Sequence, residues 1–195
     1  MTGRTPLKAA CGCHAPSRRA VLAGIASTLV LPHAAPALAA SAADDARFMR
    51  MALDEARTAD FPFGAVIVRD GNVIARGANH GRKLHDPTAH GEMVAIRKAV
   101  ESPGADAMKG ATLYTTGEPC PMCMGAIIWC HIGRVVYAAS ISQLATLMDQ
   151  IMVPSAEIAA RAAFSPVSIT GGVLADEAMA LFRERMGKMP VSAKP

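Results

Sequence analysis

Two segments of this chain place metal-ligating residues where helices begin, and that pairing limits what it can fold into more than any other feature. Cys120 and Cys123 stand three residues apart in Pro119-Cys120-Pro121-Met122-Cys123, and His90 and Glu92 stand two apart in His90-Gly91-Glu92. Met93, Ile96 and Val100 recur at helical spacing after the first segment. Pro121 suits the first turn of a second helix, where its missing N–H has no partner anyway. The spacing lets both sulfurs face one point, and a helix N-terminus favours the thiolate that metals bind. With a His90 nitrogen they make three protein ligands of a tetrahedral zinc set, one position staying open for water, as in catalytic sites. Glu92 is offset round the helix from His90, so it lies near the metal without having to coordinate it and can move protons there. The expected cofactor is one Zn2+ per chain. A redox dithiol at Cys120 and Cys123 is the competing reading, and it leaves His90 and Glu92 without a task.

The rest of the pattern is that of an α/β domain. Ser41 and Asp44 offer a helix cap, and Phe48, Met49, Ala52, Leu53 and Ala56 repeat at helical spacing through residue 59. Residues 65–68 and 73–78 read as strands joined by the turn residues Asp70-Gly71-Asn72. Further strands are expected at 111–115, 134–139 and 167–170, and further helices at 142–149, 155–163 and 174–186. Strands alternating with helices predict a three-layer α/β/α sandwich on a five-stranded mixed sheet. The opening hairpin supplies the antiparallel pairing, and the helical connection between strands four and five makes that pair parallel.

Residues 1–39 stand apart. They hold four basic residues, no acidic residue, and Arg18-Arg19 immediately before an apolar run from Ala20 to Leu31 and the small residues Ala37-Leu38-Ala39-Ala40. The order is that of a cleaved export signal, and the paired arginines resemble a twin-arginine signal. An uncleaved membrane anchor is the alternative, but the run falls short of the roughly 20 residues that a bilayer span takes. The expected mature domain is therefore 40–195, exported to the periplasm with no stable membrane anchor. Four of the chain's 20 basic residues lie in 1–39, so 16 basic and 16 acidic residues remain in 40–195. A neutral domain lacks the basic footprint of a nucleic-acid binder and points to a small-molecule substrate. Cys11 and Cys13 leave with the signal, and the odd number that stays, Cys120, Cys123 and Cys130, argues against a disulfide framework.

His90-x-Glu92 followed by Pro119-Cys120-x-x-Cys123 is the zinc deaminase signature. Over roughly residues 45–185 the chain resembles the cytidine and deoxycytidylate deaminase superfamily. The segments 63–68, 86–92 and 113–123 look like the branch that holds guanine deaminase and tRNA adenosine deaminase. Tyr137-Ala138-Ala139 leans toward the former and Ile132-Gly133-Arg134-Val135-Val136 toward the latter. The resemblance implies a zinc hydrolase that removes an exocyclic amino group from a nucleobase or related heterocycle, guanine first, with Glu92 as proton shuttle. It further implies substrate contacts at Asn79, Gly91 (where Ala is usual) and Trp129, an acidic residue from a C-terminal segment with Asp149 as the nearest candidate, and a homodimer. Turn capping by Asn79 and core or interface packing by Trp129 are the plainer readings. tRNA adenosine-to-inosine deamination and a non-enzymatic zinc or thiol protein stay open as alternatives.

Overall fold

The computed structural model describes residues 41–187. The expected export segment 1–39 and the tail from Pro190 lie outside the described residues. Helix α1 (Ala42–Thr58) starts at Ser41, whose hydroxyl oxygen accepts the Asp44 N–H at 3.1 Å. Its apolar face, Phe48, Met49, Ala52, Leu53 and Ala56, is buried. Strands β1 (Gly64–Arg69) and β2 (Asn72–Ala78) are closed by Asp70 and Gly71 at φ 49° and 75°, the left-handed pair of a tight hairpin. There follow α2 (Gly91–Glu101), a 3-10 turn over Ala105–Met108, β3 (Thr112–Gly117), α3 (Pro121–Trp129) and β4 (Arg134–Ala139). The chain then runs through α4 (Ile141–Leu144), α5 (Ser155–Ala160), β5 (Ser168–Thr170) and α6 (Ala175–Gly187).

The five strands lie in the order β2-β1-β3-β4-β5. β1 pairs antiparallel with β2 and β3, while β3–β4 and β4–β5 are parallel, which makes the sheet mixed as expected. Strand periodicity sends alternate residues to two cores. Val66, Val68, Tyr114 and Val136 join Phe48, Met49 and Phe182 of α1 and α6. Ala65, Ile67, Leu113 and Val135 join Ala95, Met124 and Ile127 of α2 and α3. Two cores on two faces of one sheet are the three layers that the alternation predicts. Among the described residues no helix is long and apolar enough to cross a membrane.

One helix is much shorter than its apolar spacing suggests. The helix expected over 142–149 is confined to Ile141–Leu144. Thr146 Oγ1 donates to the Gln143 carbonyl at 2.7 Å and so competes for a helix acceptor, and the chain leaves the helix there.

Two glycines let helices lie directly on strand backbone. A Cβ at Gly77 would sit 2.1 Å from the Gly91 carbonyl oxygen, and one at Gly64 would sit 2.2 Å from that of Ala52. The first turn of α2 is thereby pressed against β2, which places His90 and Glu92.

α1 is tied to the sheet by a partly buried ion pair. Arg134 Nη1 and Nη2 donate to the two carboxylate oxygens of Asp45 at 2.7 Å each, and the Tyr114 hydroxyl donates to Asp45 Oδ1 at 2.9 Å. Burial alone would raise the Asp45 carboxyl, but the Arg134 and Tyr114 hydrogen bonds outweigh it and hold it below the usual range. A carboxylate lowered in the native state stabilises the fold at pH above its unfolded value of about 3.9. That contribution is lost as pH falls through the native value. Asp45→Asn should therefore cost about 3 kcal/mol near neutrality and lower the melting temperature by about 10 °C. In urea titrations the gap between variant and wild type should shrink below about pH 4.

Candidate active site

The N-termini of α2 and α3 converge on one point. His90 is the residue that precedes α2, Cys120 is the residue that precedes α3, and Cys123 lies in α3's first turn. Among the described residues His90, Cys120 and Cys123 form the one cluster of three metal-ligating side chains, their ligand atoms all within 4.8 Å of one another. His90 Nδ1 lies 3.7 Å from Cys120 Sγ and 3.6 Å from Cys123 Sγ. Tetrahedral vertices at about 2.3 Å for sulfur and about 2.0 Å for nitrogen stand roughly 3.5 Å apart, so these spacings fit zinc without rearrangement. Cys123 is fully buried and Cys120 half-buried.

The two thiols are coupled electrostatically. A hydrogen bond from Cys123, helped by His90 and opposed by burial, lowers Cys120 to about 4. Cys123, as the donor in that bond and buried besides, is pushed up. The hydrogen bond with Cys120, against the effect of burial, raises His90. One sulfur is thus already the thiolate a metal needs, and the second must release its proton on binding.

Glu92 lies in the first turn of α2, 3% exposed, on the wall of a cavity of about 480 Å³. Its Oε1 accepts from the Thr115 hydroxyl of β3 at 3.2 Å. Burial raises its carboxyl above the usual range. The approach to His90 is shaped by Asp86-Pro87-Thr88. Asp86 Oδ1 accepts the Thr88 N–H at 2.8 Å and its hydroxyl at 2.6 Å, and Arg97 of α2 donates to Thr88 Oγ1 at 2.9 Å.

Asn79 also lines the cavity, 5% exposed. Its Oδ1 accepts the Gly81 N–H at 3.1 Å, so it does cap a turn, and among the described residues no hydrogen bond uses its NH2, which is the donor it can offer a ligand. Asp149 reaches the same cavity within this chain. Glu118 lines it too, and its oxygens are taken up by backbone and hydroxyl donors.

Two expected substrate contacts lie elsewhere. Trp129 is 74% exposed, tilts against Phe164 with ring centroids 5.2 Å apart, and is not on the cavity wall. The reason is geometric: it ends the helix that Cys120 begins, about 13 Å away along the axis at 1.5 Å per residue. Gly91 packs against β1, where a Cβ would lie 3.0 Å from the Phe63 carbonyl oxygen, and it is not on the cavity wall either. Cys130 follows α3 half-buried against the second core, and among the described residues it is not part of the metal-ligating cluster. His85 stands at the cavity with Phe61, Phe63, Arg82 and Met148, and none of the five was expected as a site residue. The pair Phe61-Pro62-Phe63, in a chain with five phenylalanines, was the available sequence signal for two of them.

Residues 42–139 match the zinc-binding region of cytidine and deoxycytidylate deaminases. The chain is 48% identical over 101 residues to a tRNA-specific adenosine deaminase of Agrobacterium fabrum, covering 50% of this chain and 66% of that one. It is 55% identical over 78 residues to a guanine deaminase of Bacillus subtilis, covering 40% of this chain and 50% of that one. It thus spans between half and just under two thirds of the length of these curated relatives. A solved guanine deaminase of Nitrosomonas europaea superposes with a TM-score of 0.63 at 26% identity, covering 77% of this chain and 86% of that one.

Proposed function

The chain belongs to the cytidine and deoxycytidylate deaminase zinc-binding family, and on that footing we propose that it hydrolytically deaminates a small aminated heterocycle, guanine first, to yield xanthine and ammonia. The observation that carries this reading is the buried Glu92 carboxyl on the wall of the cavity that holds His90 and Cys120. A volume of about 480 Å³ is of the size that takes a small ligand and is ample for a purine.

His90, Cys120 and Cys123 would hold zinc, which when bound would make a water acidic enough to serve as hydroxide near neutral pH. Glu92 takes the proton of the water that adds to the ring carbon bearing the amino group. It then passes that proton to the departing nitrogen, so that ammonia leaves and the ring carbon keeps the oxygen. Thr115 fixes the carboxyl, and burial holds it where it can both accept and return a proton. The Asn79 NH2 donates to an acceptor on the ring.

Editing of tRNA adenosine is the second reading, favoured by the 48% identical relative. Against it stand the equal numbers of acidic and basic residues in 40–195 and the export reading of 1–39. Export to the periplasm and a homodimer that covers the exposed Trp129–Phe164 pair belong to the same proposal. Ammonia release across free bases, nucleosides and an anticodon stem-loop tests the choice. Turnover of guanine and none of the stem-loop is expected, and the reverse pattern would replace the first reading with the second.

A further inference from the structure

Glu118 lies two residues before the metal ligand Cys120 and has no part in the chemistry above. It is 8% exposed. Its Oε2 accepts the Ile141 N–H at 2.9 Å, and its Oε1 accepts the Ser155 N–H and the Ser155 hydroxyl at 2.9 Å each. Ile141 and Ser155 are the first residues of α4 and α5. N–H groups at a helix start have no acceptor within their own helix. The Ser140 side chain before α4 is taken up by the Gln143 N–H, and Pro154 before α5 makes no side-chain cap. One carboxylate therefore supplies the missing acceptor to both helices. Its own backbone N–H donates to the Ala139 carbonyl at 2.7 Å, which fixes it to the end of β4.

Between the two capped residues the chain forms a wall of the cavity with Met148, Asp149, Gln150 and Ile151. Met148 anchors that wall in the first core, and beyond it little else holds residues 149–153. Ile151 and Met152 are 61% and 58% exposed. Across residues 149–153 the backbone is held, among the described residues, by the Val153 N–H to Ile151 carbonyl bond alone.

We propose that Glu118 is a positioning residue for the substrate: it staples both ends of the 141–155 segment to the loop that carries the metal ligands, and so sets the distance between that wall and the metal. The proposal rests on the reading that this cavity receives the substrate. A glutamine at 118 keeps one acceptor oxygen and turns an NH2 donor toward an N–H donor, so one end of the segment is released. Binding then has to order the wall again, while His90, Glu92, Cys120 and Cys123 are untouched.

The test compares full-length Glu118→Gln and Ser155→Ala with wild type. Zinc content, amide hydrogen exchange without substrate, and kcat and KM on whichever base is turned over are measured. Glu118→Gln should keep its zinc, exchange faster over 141–155, and raise KM about tenfold with kcat changed by less than about threefold. Ser155→Ala, which spares both backbone bonds, should raise KM about threefold. Unchanged exchange and KM in a folded, zinc-loaded Glu118→Gln protein would overturn the proposal. Should that variant fail to fold or to hold zinc, an unchanged KM in Ser155→Ala overturns it. Exchange is read without substrate, so failure of every base to react counts against the deaminase reading while the staple is still decided.

Discussion

Glu92→Gln should abolish ammonia release while the protein keeps one zinc per chain. Positioned proton transfer contributes about 10²–10⁴-fold, and here one carboxyl serves both the attacking water and the leaving amine, so the loss in kcat belongs at the upper end. Glutamine keeps the shape of the side chain and an oxygen to accept from Thr115 Oγ1, so the fold has no reason to change. Stability separates this loss from damage. Burial holds the Glu92 carboxyl above its ordinary range, so the metal-free native state disfavours its ionised form. That contribution is fully present below the unfolded value of about 4.3 and is lost as pH rises through the native value. A neutral amide removes the loss, so the metal-free variant should melt no lower than metal-free wild type at pH 7. Turnover in zinc-loaded Glu92→Gln within tenfold of wild type would show that some other group moves the proton, and a non-enzymatic zinc protein would show no turnover in either form.

Cys120→Ser should remove the metal, and the activity with it. Outer partners of metal ligands are worth about 10–100-fold in affinity, so losing a ligand itself should cost at least about 100-fold. Cys120 already lies at about 4 and is a thiolate at neutral pH, whereas a serine hydroxyl there stays protonated. Cys123 must give up its proton when zinc binds, so affinity in the wild type should fall as the solution is acidified. Metal analysis after dialysis at pH 7.5 and pH 5.5 checks both points. Wild type stripped by a chelator should recover turnover when zinc is returned, and Cys120→Ser should not. A serine variant with full zinc and full turnover would place the metal on other residues.

These expectations could be formed because the chemistry of the site is local. Cys120, Pro121 and Cys123 state a helix start and a ligand spacing in one stretch, and His90 and Glu92 do the same at α2. The strands alternate visibly because each faces two cores, and the parallel β4–β5 pair followed from the length of its connection. Where two local preferences competed, or where an orientation depended on the fold, spacing alone did not decide. The spacing over 142–149 is helical, yet the Thr146 hydroxyl takes the Gln143 carbonyl and the chain turns toward the cavity instead. Trp129 sits a fixed number of residues from Cys123, and that count alone did not say which way the end of α3 faces.

The sequence by itself determined the elements, the mixed sheet and the identity of the metal set, because helix starts, strand alternation and ligand spacing are properties of a few neighbouring residues. Only the tertiary structure decided what surrounds the metal. Phe61, Arg82, His85, Asn79 and Asp149 come to one cavity from three separate connections, and Glu118 binds Ile141 and Ser155 across 23 and 37 residues. Such meetings depend on sheet order and on the paths of loops between elements. No periodicity records them, since each side chain's partner is chosen by the fold as a whole.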